Sequence, residues 1–576
     1  MNQKLENILN VSLDATEDEL RKADSLSTGY NWRDNTWEII VKYSGSLESI
    51  RNRYNVYIKE LLNYYAIIVA DKATIELISQ EDVIDYVEKP KSLYYQIERT
   101  KTAACVGSVR ADGNILSGKG VIVGVIDTGI DIFDNAFRNS DGTTRILNIY
   151  DQTTGEKYDK QSIDEYIRLN EDLSGGTFSY DNAPGVDNIM HGTDVSYIAA
   201  GSLGVAYEAD IIAVKMGYSI NNQFPRTTSL MDAIDYIIRK AIEYRKPVAV
   251  NISYGCNYGA HNGNTLLESF IDDISKSYRC VICVGSGNEA DKAIHFGGII
   301  NTGQVQTAYL SVGEYQSAID IQIWKNYWDT IDVMLINPRG EQIGIITEGR
   351  INRYETYKTE IITLLGEPSP YNIYQEIYIN LIPKTDYILS GIWQIVLMAG
   401  SIRAGEYNIW LPSSQALGYA TAFNNPTADG TITIPATARN CIAVGAYNAY
   451  TNSYAAFSGR GFDNSIRNVN AGVKPDITAP GVDISIARQR GNDITYRNVT
   501  GTSYAVPVVT GAAVLLMQWG IVMGNDRFMY GEKLKAALID GSKPVGLVGI
   551  TRNDNQPDPR TGWGAVCLKN TLNKIL

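Results

Sequence analysis

Three short segments carry side chains whose chemistry is complementary. Asp127 stands in Val125-Ile126-Asp127-Thr128-Gly129, His191 in His191-Gly192-Thr193, and Ser503 in Gly501-Thr502-Ser503-Tyr504-Ala505-Val506-Pro507. Each alone has a plain reading: an aspartate after a strand is often a turn residue, and Gly-Thr-Ser is often only a helix N-cap. Jointly they are what acyl transfer through a hydroxyl needs. A serine hydroxyl is a weak nucleophile and requires a base within hydrogen-bond reach. The imidazole in turn requires an acid to fix its tautomer and stabilise the imidazolium. The chain has three histidines, so a multi-histidine metal site would need His191, His261 and His295 to converge. Only His191 sits in a context that suits a general base; His261 and His295 read as surface or loop residues.

Such groups must be brought together by the elements around them. Val121 to Ile126 is a continuous apolar, β-branched run, the pattern of a strand buried on both faces. Similar runs occur at Ile211 to Val214, Val248 to Ile252 and Cys280 to Val284. Helix-like stretches separate them, such as Leu230 to Ile242 with Ile234, Ile237, Ile238 and Ile242 at helical spacing. Alternating buried strands and helices predict a parallel, doubly wound sheet. Asp127 then ends a strand, while His191 and Ser503 open small-residue helices, and such folds place their sites on that sheet edge. A helix start also presents backbone N–H groups that can hold a developing oxyanion. Cys280 and Cys283 have C-x-x-C spacing, but strand alternation points them to opposite faces, so they read as buried structural thiols.

The order Asp, His, Ser with these flanking residues resembles the subtilisin-like serine proteases. On that resemblance Asp127 matches the orienting aspartate, His191 the general base and Ser503 the nucleophile. Val284-Gly285-Ser286-Gly287-Asn288-Glu289 resembles the family's Gly-Asn-Glu segment, which implies that the Asn288 side chain donates to the oxyanion. Ser253, Tyr254 and Gly255, in Asn251-Ile252-Ser253-Tyr254-Gly255, resemble the strand that pairs with an extended substrate backbone. Ala479-Pro480-Gly481 resembles a structural turn. The sequence departs from the family pattern at two places. Asp194, three after the base, replaces a histidine or small residue; it is expected to face solvent or a local cap, the alternative being that it faces the imidazole and raises its pKa. Tyr504 stands where methionine or phenylalanine is common, a change of packing.

The 576 residues exceed one ordinary core. Residues 1–96 read as a small α+β pro-region, with a strand at Ala66 to Ala70, a helix from Asp71 to Gln80 carrying Leu77 and Ile78 on its apolar side, and a strand from Val83 to Glu88. Residues 97–298 and 427–576 read as one split catalytic domain. Between them, residues 299–426 lose the α/β texture: short alternating strands, among them Ile319 to Trp324, Tyr387 to Leu389 and Trp393 to Leu397, predict an inserted antiparallel β-sandwich of jelly-roll type. Fifty-one basic and 64 acidic residues give a net charge of −13, which disfavours a nucleic-acid partner. No apolar run long enough for a membrane span is expected, nor a signal peptide, metal or cofactor.

The pro-region, the late insert and strings such as Val87-Glu88-Lys89-Pro90-Lys91 make the chain similar to the Csp-type proteases of spore-forming clostridia. That resemblance implies a protein substrate, the precursor of a spore-cortex lytic enzyme, in the cytoplasm or spore of a Gram-positive spore former. It also implies autocleavage near Gln96, in the linker-like stretch Gln96 to Thr102, with the pro-region then bound non-covalently to a monomer. The alternatives are a silent or inhibited signalling pseudoprotease and a general degradative subtilase.

Overall fold

The computed structural model describes residues 2–91, 94–95, 110–111, 114–172, 183–218, 224–346, 349–462, 473–490, 493–546 and 557–576. Its centre is a nine-stranded, mainly parallel sheet. The parallel strands run in the spatial order Ile146–Asp151, Asp210–Lys215, Ile122–Asp127, Val248–Ile252, Cys280–Gly285, Ile442–Asn448 and Ile477–Pro480. Ile122–Asp127 lies between two strands that follow it in sequence. The chain therefore reverses its winding there, which opens a crevice beyond Asp127.

The β-branched strands bury both faces because helices cover both. The helix Thr227–Tyr244 packs on one face and the helices His191–Ala200 and Thr502–Met517 on the other. Cys280 belongs to one core and Cys283 to the other, so the alternation rule holds for this pair and both thiols are buried. Within Thr227–Tyr244, Ile234, Ile237 and Ile238 are buried, but Ile242 near the helix end is exposed.

The stretch Thr502–Val522 is long and apolar enough to cross a membrane, contrary to the expectation from the sequence. It is 89% buried inside the fold: its hydrophobicity serves a central core helix that touches protein on all sides.

The pro-region is an antiparallel five-stranded sheet built on Thr36–Tyr43 and Tyr65–Ala70, flanked by short helices. The helix predicted from Asp71 spans Lys72–Ile78, and it buries Ile75 and Ile78 while Leu77 is exposed. One side of the unit packs on the helices Thr227–Tyr244 and Leu266–Ser277, where the Tyr65 and Phe270 rings lie 5.2 Å apart. Its other side packs on the insert, sharing a core with Ile362, Leu364, Tyr378 and Ile382.

The insert consists of two antiparallel sheets of six and five strands between His295 and Phe423, closed over one apolar core. Tyr387 to Leu389 form no strand; that stretch is a turn after Tyr374–Pro383. The strand Tyr374–Pro383 is buried along its whole length because its alternate residues enter two cores. Ile377, Ile379 and Leu381 face the sandwich, and Tyr378 and Ile382 face the pro-region.

Candidate active site

Asp127 ends its strand and accepts from its own loop, Thr128 N–H donating to Oδ1 at 2.8 Å. The same Oδ1 lies 2.6 Å from Nδ1 of His191, and both side chains are buried. This contact fixes the imidazole with Nε2 pointing away from Asp127, and Nε2 has no hydrogen-bond partner among the described residues. Burial disfavours the imidazolium. The charge and hydrogen bond of Asp127, helped by Asp194 and Asp187, outweigh that cost and hold the His191 pKa above its ordinary value.

The two loops meet at a distance that excludes side chains. A Cβ on Gly192 would lie 2.3 Å from the carbonyl oxygen of Gly129, so glycine is required beside the base. Asp187, four residues before His191, ties the loops together. It accepts from Thr128 Oγ1 and Met190 N–H at 2.7 Å, and from Thr193 N–H and Oγ1 at 2.8 Å. The sequence reading missed it, since a lone aspartate in a polar loop has no periodic signature.

Ser503 is the second residue of the helix Thr502–Met517, which packs against the histidine's helix; the next residue, Tyr504, brings its ring to within 5.2 Å of the His191 ring. Pro507 lacks the N–H that would bond to the Ser503 carbonyl four residues earlier. The Ser253 hydroxyl donates to that carbonyl instead, at 3.4 Å, while Asn251 Nδ2 donates to Ser253 Oγ at 3.1 Å. Asn251 Oδ1 accepts from Thr510 Oγ1 at 3.2 Å, so the nucleophile's helix is stitched to the central strand on two turns.

Asn288 follows Gly287, whose φ of 95° turns the loop after Cys280–Gly285. Its Oδ1 accepts from Thr502 N–H at 3.0 Å and Thr502 Oγ1 at 3.1 Å. That leaves the amide group Nδ2 held beside the start of the serine helix, buried and without a hydrogen-bond partner among the described residues. An unpaired buried amide costs stability and marks a place built for an incoming acceptor.

The segment Ser253, Tyr254 and Gly255 contributes backbone to the cleft. The Tyr254 ring is buried in the core. Tyr254–Gly255 pairs antiparallel with Tyr94–Tyr95 from the end of the pro-region, with Tyr254 opposite Tyr95 and Gly255 opposite Tyr94. Gln96 and the stretch to Thr102 lie outside the described residues.

Three expectations are corrected. Asp194 does not face solvent: it is wholly buried and paired with Arg488 and Arg497, two arginines far along the chain. Its own carboxyl is pushed up by burial, against the lowering effect of the arginines. His261 and His295 are not surface residues. Both are buried and stack against Trp410 of the insert, at ring distances of 4.1 and 4.9 Å.

Residues 118–365 and 404–564 match the Subtilase family, and residues 3–91 match the Csp protease B prodomain. The chain belongs to the subtilase family. Among solved structures, this subtilase is similar to the CspB protease of Clostridium perfringens. The two are 34% identical, with a TM-score of 0.71, over 79% of this chain and 93% of that one. Among curated proteins it is 32% identical over 128 residues to the subtilase-type proteinase RRT12 of Saccharomyces cerevisiae, and 33% identical over 120 residues to subtilisin-like protease 10 of Arthroderma otae. Those matches cover 22% and 21% of this chain, and 23% and 27% of the curated relatives. It is a subtilisin-like, Csp-type serine protease with its prodomain.

Proposed function

We propose that the chain is a serine endopeptidase that cuts its own pro-region and then a protein precursor. His191, oriented by Asp127, deprotonates Ser503, which attacks the scissile carbonyl. Asn288 Nδ2 and the Ser503 N–H receive the oxyanion, and water releases the acyl-enzyme. The observation that carries this reading is the backbone pairing of Tyr94–Tyr95 with Tyr254–Gly255. An extended peptide added to that edge is how a protease takes substrate, with main-chain bonds giving affinity. The paired edge runs on from Gly255 and Tyr254 to Ser253, whose hydroxyl contacts the Ser503 backbone at 3.4 Å, so the end of the pro-region lies beside the segment that touches the nucleophile's helix. That supports cleavage near Gln96, with the new carboxyl terminus retained in the cleft as an inhibitor.

The resemblance to Csp-type proteases supports a spore-cortex hydrolase proenzyme as the substrate, in the cytoplasm or spore of the cell. Expression of wild type beside Ser503→Ala tests the mechanism. Two fragments from wild type, one uncut chain from the variant, and fluorophosphonate labelling of wild type alone are expected. A single uncut and unlabelled chain in both would overturn it. Cleavage of a single proenzyme with little turnover of unfolded casein separates the precursor-processing role from general degradation.

A further inference from the structure

Two departures from the family pattern meet in space. Asp194 lies one turn beyond His191 on the same helix. The antiparallel hairpin Ile484–Arg490 and Asp493–Val499 leads directly into the serine helix. One face of that hairpin sends Ile484, Ile486 and Val499 into the core and aims Arg488 and Arg497 at Asp194. Arg488 Nε donates to Asp194 Oδ1 at 3.0 Å, and its terminal nitrogen also donates to the carbonyl of Met190, the residue before the base, at 3.0 Å. Arg497 pairs with Asp194 Oδ2 and also contacts the Tyr504 hydroxyl.

We propose that Asp194, Arg488, Arg497 and Tyr504 form a latch that positions His191 against Ser503 and sets the charge the imidazole experiences. It deepens the protease reading and rests on His191 being the base. The geometry requires it to act on both reacting residues, since it grips the carbonyl at the start of the histidine's helix and the ring of the residue after the nucleophile. The charged groups facing the imidazole are Asp127 from its strand, Asp187 from its loop, Asp194 from its own helix, and the two arginines, through Asp194, from the hairpin. Asp194 alone would favour the imidazolium; two guanidiniums overcompensate it by one charge. Arg488 and Asp194 are therefore positioning residues of opposite electrostatic sign.

The test uses the small histidine count. In full-length ¹⁵N-histidine-labelled Ser503→Ala protein only three imidazoles give signals, and the titration of His191 is read directly, with no need for turnover. Arg488→Gln should move its midpoint to higher pH and Asp194→Asn to lower pH, each by about half a pH unit or more. Arg497→Gln should follow Arg488→Gln; if Asp194→Asn fails to fold, Arg488→Lys, which keeps the charge, should return the midpoint to the wild-type value, and a midpoint that instead follows Arg488→Gln would overturn the latch. Shifts in the same direction for both signs of charge, or no shift, would overturn the latch. In the Ser503-containing protein the acid limb of fluorophosphonate labelling should move in step with each midpoint. If labelling is absent throughout while the NMR shifts stand, the protease reading fails and the latch survives.

Discussion

The catalytic edge and the junction of pro-region, insert and catalytic domain are both buried and both polar, yet they differ in kind: the edge aims reacting atoms at a cleft, while the junction is tied by ion pairs between units. At the edge, His191 Nε2 and Asn288 Nδ2 are fixed through their other atoms and have no hydrogen-bond partner among the described residues. At the junction, Lys91 lies 2.7 Å from Glu6 and 3.0 Å from Glu88, Lys91 and Thr227 exchange hydrogen bonds, and Arg353 of the insert pairs with Asp14 and Glu19 of the pro-region. An unpaired buried group costs free energy, and at the edge an incoming substrate can supply the missing partners. Paired groups fix geometry and ask for nothing further. The same contrast separates the histidines: one has a ring nitrogen waiting, while two are clamped on Trp410.

Breaking the edge has the largest expected effect. His191→Ala should lower kcat by about 10⁶-fold with the fold intact, leaving an uncut chain in gels. Asn288→Ala should lower kcat by about 10² to 10³-fold with little change in KM, read on a peptide substrate once autoprocessing is bypassed by co-expressing the pro-region separately. At the junction, Trp410→Ala should leave the chemistry in place and instead lower stability by about 3–5 kcal/mol, seen as a lower Tm and faster proteolysis of the insert.

Two smaller effects distinguish the regions by the sign of their pH dependence. Burial pushes His261 and His295 down to about 4, below the unfolded value near 6.5, so their contribution is present above pH 6.5 and lost as pH falls to 4. The Tm of wild type relative to His261→Gln should therefore fall on acidification through that window. Beside the edge, burial pushes Glu289 up to about 7, where it accepts from Ser414 of the insert at 3.1 and 3.2 Å. Its contribution is present below about pH 4.5 and lost as pH rises through 7, so Glu289→Gln should gain on wild type in alkaline buffer. Equal slopes for both variants would remove the distinction.

The catalytic fold is written plainly in the chain because strands buried on both faces must be continuously apolar, and Ile122–Asp127, Val248–Ile252 and Cys280–Gly285 read that way at a glance. Asp127, His191, Asn288 and Ser503 carry flanking glycines and small residues that close approach demands, so the candidate site is legible as well. Other features are not. The strand Tyr374–Pro383 feeds two cores, and no single-face periodicity can reveal the second one. His261 and His295 sit in loop-like sequence, and their burial includes stacking on the insert's Trp410, more than a hundred residues along the chain.

Local sequence thus determined the elements and the residue types of the reacting groups, because helix, strand and turn preferences act over a few positions. Tertiary structure decided what those groups feel. Asp194 looks like a surface residue until a hairpin almost 300 residues later brings Arg488 within 3.0 Å. The pro-region looks like a separate small unit until Tyr94–Tyr95 pairs with the cleft edge. Electrostatic contacts and strand pairing depend on distance in space, and a linear pattern holds no record of which distant segments will meet.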